Sequence, residues 1–143
     1  MVATFAPGPL RPLHPLHSIL LAFPVTLFLS ALVSDIAYWR TFEIQWANFA
    51  AWLNAGGLLG GGFALLWAMV NLLRGRAHRN GRAVLYALVL LATWVVGFIN
   101  ALVHAKDAWA TMPEGLYLSV AATALALAAA WIGYSGLRVR EIG

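Results

Sequence analysis

A chain of 143 residues that is 62% hydrophobic and only 10% charged has too few charges to cover a water-facing surface, for which a soluble domain uses about 25%. It therefore reads as a polytopic membrane protein. The net charge of +4 does not mark a nucleic-acid binder, because the arginines cluster between apolar runs, where topology signals belong. Cysteine is absent, which excludes disulfides, thiolate metal sites, iron–sulfur clusters and covalent c-type haem.

Residues 1–13 hold Pro7, Gly8, Pro9 and Pro12, with Arg11 as the one charge. Prolines at this density predict an extended arm at the membrane surface. A single transmembrane domain is expected over 14–141. Its first apolar segment spans about 15–39. Pro15 suits the first helical turn, with His14 at the cap position. Pro24 removes a hydrogen bond to the Leu20 carbonyl and predicts a kink or local widening. Tyr38 and Trp39 form an interfacial anchor. The proline-rich front and the lack of a small-residue cleavage site do not resemble a cleavable signal peptide.

A polar turn over 40–45 leads to a second segment over about 46–73. It opens on Trp46, Phe49 and Trp52. Its middle carries Gly56, Gly57, Gly60, Gly61 and Gly62, two overlapping GxxxG spacings that let a neighbouring backbone approach closely. In water so many glycines would oppose a helix; in lipid the unsatisfied backbone enforces one. Residues 74–82 hold Arg74, Arg76, His78, Arg79 and Arg82. The third segment spans about 83–104, a mixed-charge loop covers 105–114, and an alanine-rich fourth segment spans about 115–137. Seven of the nine basic residues, Arg11, Arg74, Arg76, Arg79, Arg82, Arg138 and Arg140, fall on one side of an alternating topology. The positive-inside rule then places both termini in the cytoplasm. The expected fold is an all-α, up-down-up-down four-helix membrane bundle.

Histidines and intramembrane polar groups are where chemistry would reside. His14 and His17 share one helix face, and imidazole is the common axial ligand of haem iron. The alternative is that His14 caps the helix and His17 is a polar tip in the headgroup region. His78 lies on the same side of the membrane as that pair, in the arginine loop, and is the only same-side partner for a bis-histidine site. His104 lies at the opposite face. Asp35 either takes a proton, a cation or a partner's arginine, or pairs with Arg40 or His104. Asn54, Asn71 and Asn100 are expected to hydrogen-bond between helices. No HExxH, GxSxG, P-loop or Rossmann fingerprint occurs, and no acidic residue lies mid-span, so the chain is not expected to be an enzyme.

His14-Pro15-x-His17, then Phe23-Pro24, then Asp35 followed by Tyr38-Trp39, resembles the bacterial family of four-helix membrane proteins designated domain of unknown function number twenty-two thirty-one. The glycine-rich second helix, Asn100, and Trp131-Ile132-Gly133 fit the same pattern, over roughly residues 11–141. The resemblance implies an inner-membrane bundle of unassigned biochemistry, in a setting like that of membrane partners of periplasmic dehydrogenases and cytochromes. Relatives carry a histidine where this chain has Tyr86, an aspartate where it has Asn71, and a histidine near the position of Arg140. A family haem using those groups would have been lost here.

Three functions follow as expectations. The first is a non-catalytic subunit or anchor of a membrane complex, with lipid and other membrane or periplasmic subunits as partners. The second is an electron-transfer subunit binding haem b or a quinone, using His17 with His14 or His78. The third is a small transporter.

Overall fold

The computed structural model describes residues 13–74, 81–107 and 110–135. The proline-rich arm up to residue 12, His78 and Arg140 lie outside the described residues. Four helices follow in order: α1 over Pro15–Thr41, α2 over Ile44–Leu73, α3 over Gly81–His104 and α4 over Glu114–Ser135. They are 27, 30, 24 and 22 residues long, and each is long and apolar enough to cross a hydrocarbon core of about 30 Å at 1.5 Å per residue. Each packs on two neighbours, α1 on α2 and α4, and α3 on α2 and α4. The result is an all-α four-helix membrane bundle. Pro15, Leu73, Gly81 and Ser135 mark its basic end; Thr41, Ile44, His104 and Glu114 mark the opposite end.

His14 caps α1 with its own ring, since the Leu16 N–H donates to His14 Nδ1 at 3.3 Å. The helix runs unbroken through Pro24, which is buried. The polar turn expected over 40–45 is shorter than the sequence indicates. Thr41 Oγ1 donates to the Ala37 carbonyl and accepts from the Glu43 N–H. Phe42 closes the helix in the left-handed region at φ 56°, its N–H donating to the Tyr38 carbonyl. Two residues, Phe42 and Glu43, therefore suffice to reverse the chain.

The glycines of α2 admit α1. A Cβ at Gly57 would lie 2.5 Å from the Phe28 ring, one at Gly60 would overlap Phe23, and one at Gly61 would meet Pro24 at 3.5 Å. The close approach that the GxxxG spacings predict is thus spent inside the bundle. Phe28 also reaches α3, where a Cβ at Gly97 would lie 2.8 Å away. Phe28, Ala122 and Ala126 form the middle of the core, while Leu21, Ala64, Ala68 and Leu90 fill it toward the basic end.

Two regularities organise the contacts. Along the α3–α4 hairpin, facing residues stand equally far from the connecting loop: His104 meets Gly115, Asn100 meets Ser119, and Tyr86 meets Gly133. Across the diagonal, α1 and α3 run parallel and touch through the core at one constant offset. His17 bonds Tyr86 and Asp35 bonds His104, each pair 69 residues apart. The same offset separates Phe28 from Gly97 between them.

Candidate functional site

At the opposite end, four polar side chains from three helices meet in the core. Asp35 of α1 is fully buried. Its Oδ1 lies 2.8 Å from His104 Nε2, and its Oδ2 accepts from Ser119 Oγ of α4 at 2.5 Å. Ser119 Oγ in turn accepts from Asn100 Nδ2 at 2.9 Å. His104 Nδ1 sits 2.9 Å from the Asn100 carbonyl. A carbonyl only accepts, so Nδ1 carries a hydrogen. One further proton then lies between Nε2 and the carboxyl group, and the pair is either imidazolium with carboxylate or imidazole with carboxylic acid. In both forms its net charge is zero, which is what makes a carboxyl group tolerable at this burial. Of the two partners weighed for Asp35, the structure has His104; Arg40 is exposed. Five residues along the same helix turn Arg40 about 140° away from Asp35.

Ser119 was not among the sequence candidates. One serine near the start of an alanine-rich helix has no periodic signal. The hairpin symmetry is the cue that would have found it, because Ser119 is as far past the loop as Asn100 is before it.

At the basic end, His17 is buried at 2% exposure and shares a 2.7 Å hydrogen bond between Nε2 and the Tyr86 hydroxyl. Its ring lies 5.8 Å from Trp67 of α2 and meets Tyr86 edge-on. His14 lies over the same indole at 5.2 Å. Beside them, Tyr134 donates to the Ser18 carbonyl at 2.7 Å, tying α4 to α1. Arg82 ties α3 to α4 by donating to the Ile132 carbonyl at 2.8 Å and to the Ser135 hydroxyl.

The described residues do not fit a haem held by these histidines. His17 Nε2 faces the Tyr86 hydroxyl at hydrogen-bond distance, leaving no gap for a porphyrin between α1 and α3. His14 is exposed and committed through Nδ1 to its cap. His104 lies about 27 Å along the bundle from His17, eighteen residues at 1.5 Å each. Among the described residues no cluster of three His, Asp or Glu side chains could hold a metal ion.

Asn71 does not join either cluster. It lines an apolar groove between α1 and α2 with Arg74 at its end. Asn54 bridges α2 to α3, donating through Nδ2 to the Gly97 carbonyl at 3.1 Å. The structure thus brings Asp35, Asn100 and His104 together, and leaves His14, His17 and Asn71 at the other end of the bundle.

No curated protein and no solved structure matches the chain. A family model described as "Predicted membrane protein (DUF2231)" matches residues 13–139. That stretch runs through all four helices and both polar clusters, and the chain belongs to this family of membrane proteins.

Proposed function

We propose that the protein is a non-catalytic subunit or anchor of a bacterial inner-membrane complex, inserted with both termini in the cytoplasm. The observation that carries this reading is that buried polar side chains bond one another across helices at both ends of the core, while His17 Nδ1, Asn54 Oδ1, Asn100 Oδ1 and Thr123 Oγ1 are buried without a hydrogen-bond partner. Both oxygens of Asp35, both ring nitrogens of His104, the amide nitrogen of Asn100 and Nε2 of His17 are bound to other groups of the bundle. Polar groups tied in this way hold helices in register. A catalytic or transport site instead presents hydrogen-bonding capacity to a cleft or a substrate path. The outward face of α4 suits a docking role: Tyr117 and Trp131 are 68% and 71% exposed, and between them Ala124 and Ala128 give a small-xxx-small spacing for a foreign helix. The basic end is assigned to the cytoplasm because most of the arginines are there.

The test is crosslinking and mild-detergent purification of the tagged chain from its native membrane. A partner recovered in fixed ratio, and lost on Ala124→Leu with Ala128→Leu, is the expected result. A chain that is monodisperse alone, with no crosslinked product, overturns the proposal. The reduced-minus-oxidised spectrum of the same preparation is expected to be flat; a b-type haem band would replace this reading with the electron-transfer one.

A further inference from the structure

The groove between α1 and α2 has a polarity that the bundle does not use. It encloses about 440 Å3 at the basic end, and its walls are Leu16 and Leu20 of α1 with Phe63, Leu66, Trp67, Val70, Asn71 and Arg74 of α2. The six α2 positions follow one helix face. Four apolar side chains come first and the two polar ones last. From Phe63 to Arg74 the face extends about 16 Å along the axis. A slot that is greasy along its length and cationic at its mouth matches an amphiphile lying parallel to the helices, apolar tail inward and anion outward.

The two arginines described at this end differ in what they do. Arg82 is consumed by the carbonyl and hydroxyl at the end of α4. Arg74 is exposed and borders the groove. Among the described residues the only ion pair is Asp35 with His104, at the far side of the membrane, so no described carboxylate neutralises Arg74. A guanidinium presents a planar fork that matches phosphate oxygens two at a time. The Asn71 carboxamide, one turn deeper, adds donors and acceptors at the level where a glycerol ester would sit. Basic pockets between membrane helices are sites for anionic headgroups.

We propose that this groove is a binding site for an anionic phospholipid, with one acyl chain along Leu16, Leu20, Phe63 and Leu66 and the phosphate on Arg74. A neutral quinone would fill the slot equally well but gains nothing from the charge at its mouth. The site is independent of the subunit role proposed above and of which side of the membrane the basic end faces.

Trp67 forms part of the wall, which makes the site readable by fluorescence. The full-length protein is reconstituted into vesicles containing either brominated phosphatidylglycerol or brominated phosphatidylcholine at equal fraction, and tryptophan quenching is compared. The expected result is an excess of quenching by the anionic lipid, corresponding to about fivefold preferential occupancy for one arginine contact. That excess should vanish in Trp67→Phe and fall toward zero in Arg74→Gln. Millimolar inorganic phosphate should leave it unchanged. Equal quenching by the two lipids in the wild type overturns the proposal, as does an excess that survives Arg74→Gln. An excess that survives Trp67→Phe places the lipid elsewhere and also overturns it. Loss of the excess to inorganic phosphate would make the site one for free anion and not for lipid. Size-exclusion profiles of both variants check that the bundle is intact, which matters most for Trp67→Phe because the indole lies 5.8 Å from the His17 ring.

Discussion

Asp35 and His104 form the most consequential pair in the molecule at the scale of single residues. Each balances the other's charge where both side chains are buried. Removing one partner leaves a buried charge or an uncompensated acid, at a cost of about 3–5 kcal/mol. His104→Ala is therefore expected to lower the unfolding midpoint in detergent strongly. Adding Asp35→Asn to His104→Ala removes the orphaned carboxyl and is expected to restore part of that loss. A double variant no more stable than His104→Ala would show that the carboxyl group is not what the histidine stabilises. The His17–Tyr86 pair is a smaller matter of the same kind. Tyr86→Phe keeps the ring and deletes the hydroxyl, leaving the buried His17 without its hydrogen-bond partner. The expected loss is about 1–3 kcal/mol, read by the same denaturation. No loss would mean that the imidazole finds another group or water.

Between elements, the α1–α2 contact rests on shape. Phe28 inserts between Gly57 and Gly97, so the ring is gripped by two helices that lack side chains at those points. Gly57→Ala puts a methyl group into the ring, and overpacking of this kind costs about 1–3 kcal/mol. The expected signature is coupling. Phe28→Leu and Gly57→Ala should each destabilise, while the double variant should be better than their sum by at least about 0.5 kcal/mol. Strict additivity would show that the two residues do not share one space. At the other end of α2, the hydrophobic wall of the groove begins where the glycines stop. The same helix thus turns from a face built to bring a backbone close to one built of large side chains.

For the molecule as a whole, the architecture was readable because lipid leaves the chain few options. Scarce charge, four apolar runs and three short connections permit little except a four-helix bundle. Pro15 and His14 marked the start of α1 for local reasons, a missing N–H and a capping ring. The helix ends were less legible. Each of the first three was expected to be shorter by two residues at one end, because backbone hydrogen bonding continues into polar residues wherever a side chain such as Thr41 can finish the turn. The polar clusters were half legible. Asp35 stood out as an acid in an apolar run, but choosing His104 over Arg40 needed the tertiary arrangement. Tyr86 was visible only as a departure from its relatives, and nothing local said that it would face His17. Asn71 read as an interhelical bridge, yet its helix face turns to a groove. The insertion direction itself is open to a direct check, because the chain has no cysteine. Glu43→Cys is expected to react with an impermeant maleimide added outside intact cells, and Arg74→Cys only after the membrane is opened. The reverse pattern would invert the orientation proposed here.

The constant offset between α1 and α3 has a consequence for how this chain can change in length. His17 to Asp35 and Tyr86 to His104 are the same interval, written once in each of two helices that are not hairpin neighbours. One residue added within either interval would turn everything beyond it by about 100° and advance it 1.5 Å, so one of the two terminal bonds would be lost. The eighteen-residue interval is five whole turns, so a matched addition in both helices keeps both bonds only if it too is close to a whole number of turns. The bundle can therefore change length only by about whole turns matched in α1 and α3, with α4 following because it is tied to α1 near both ends, and a single added or deleted residue in either helix is expected to be poorly tolerated.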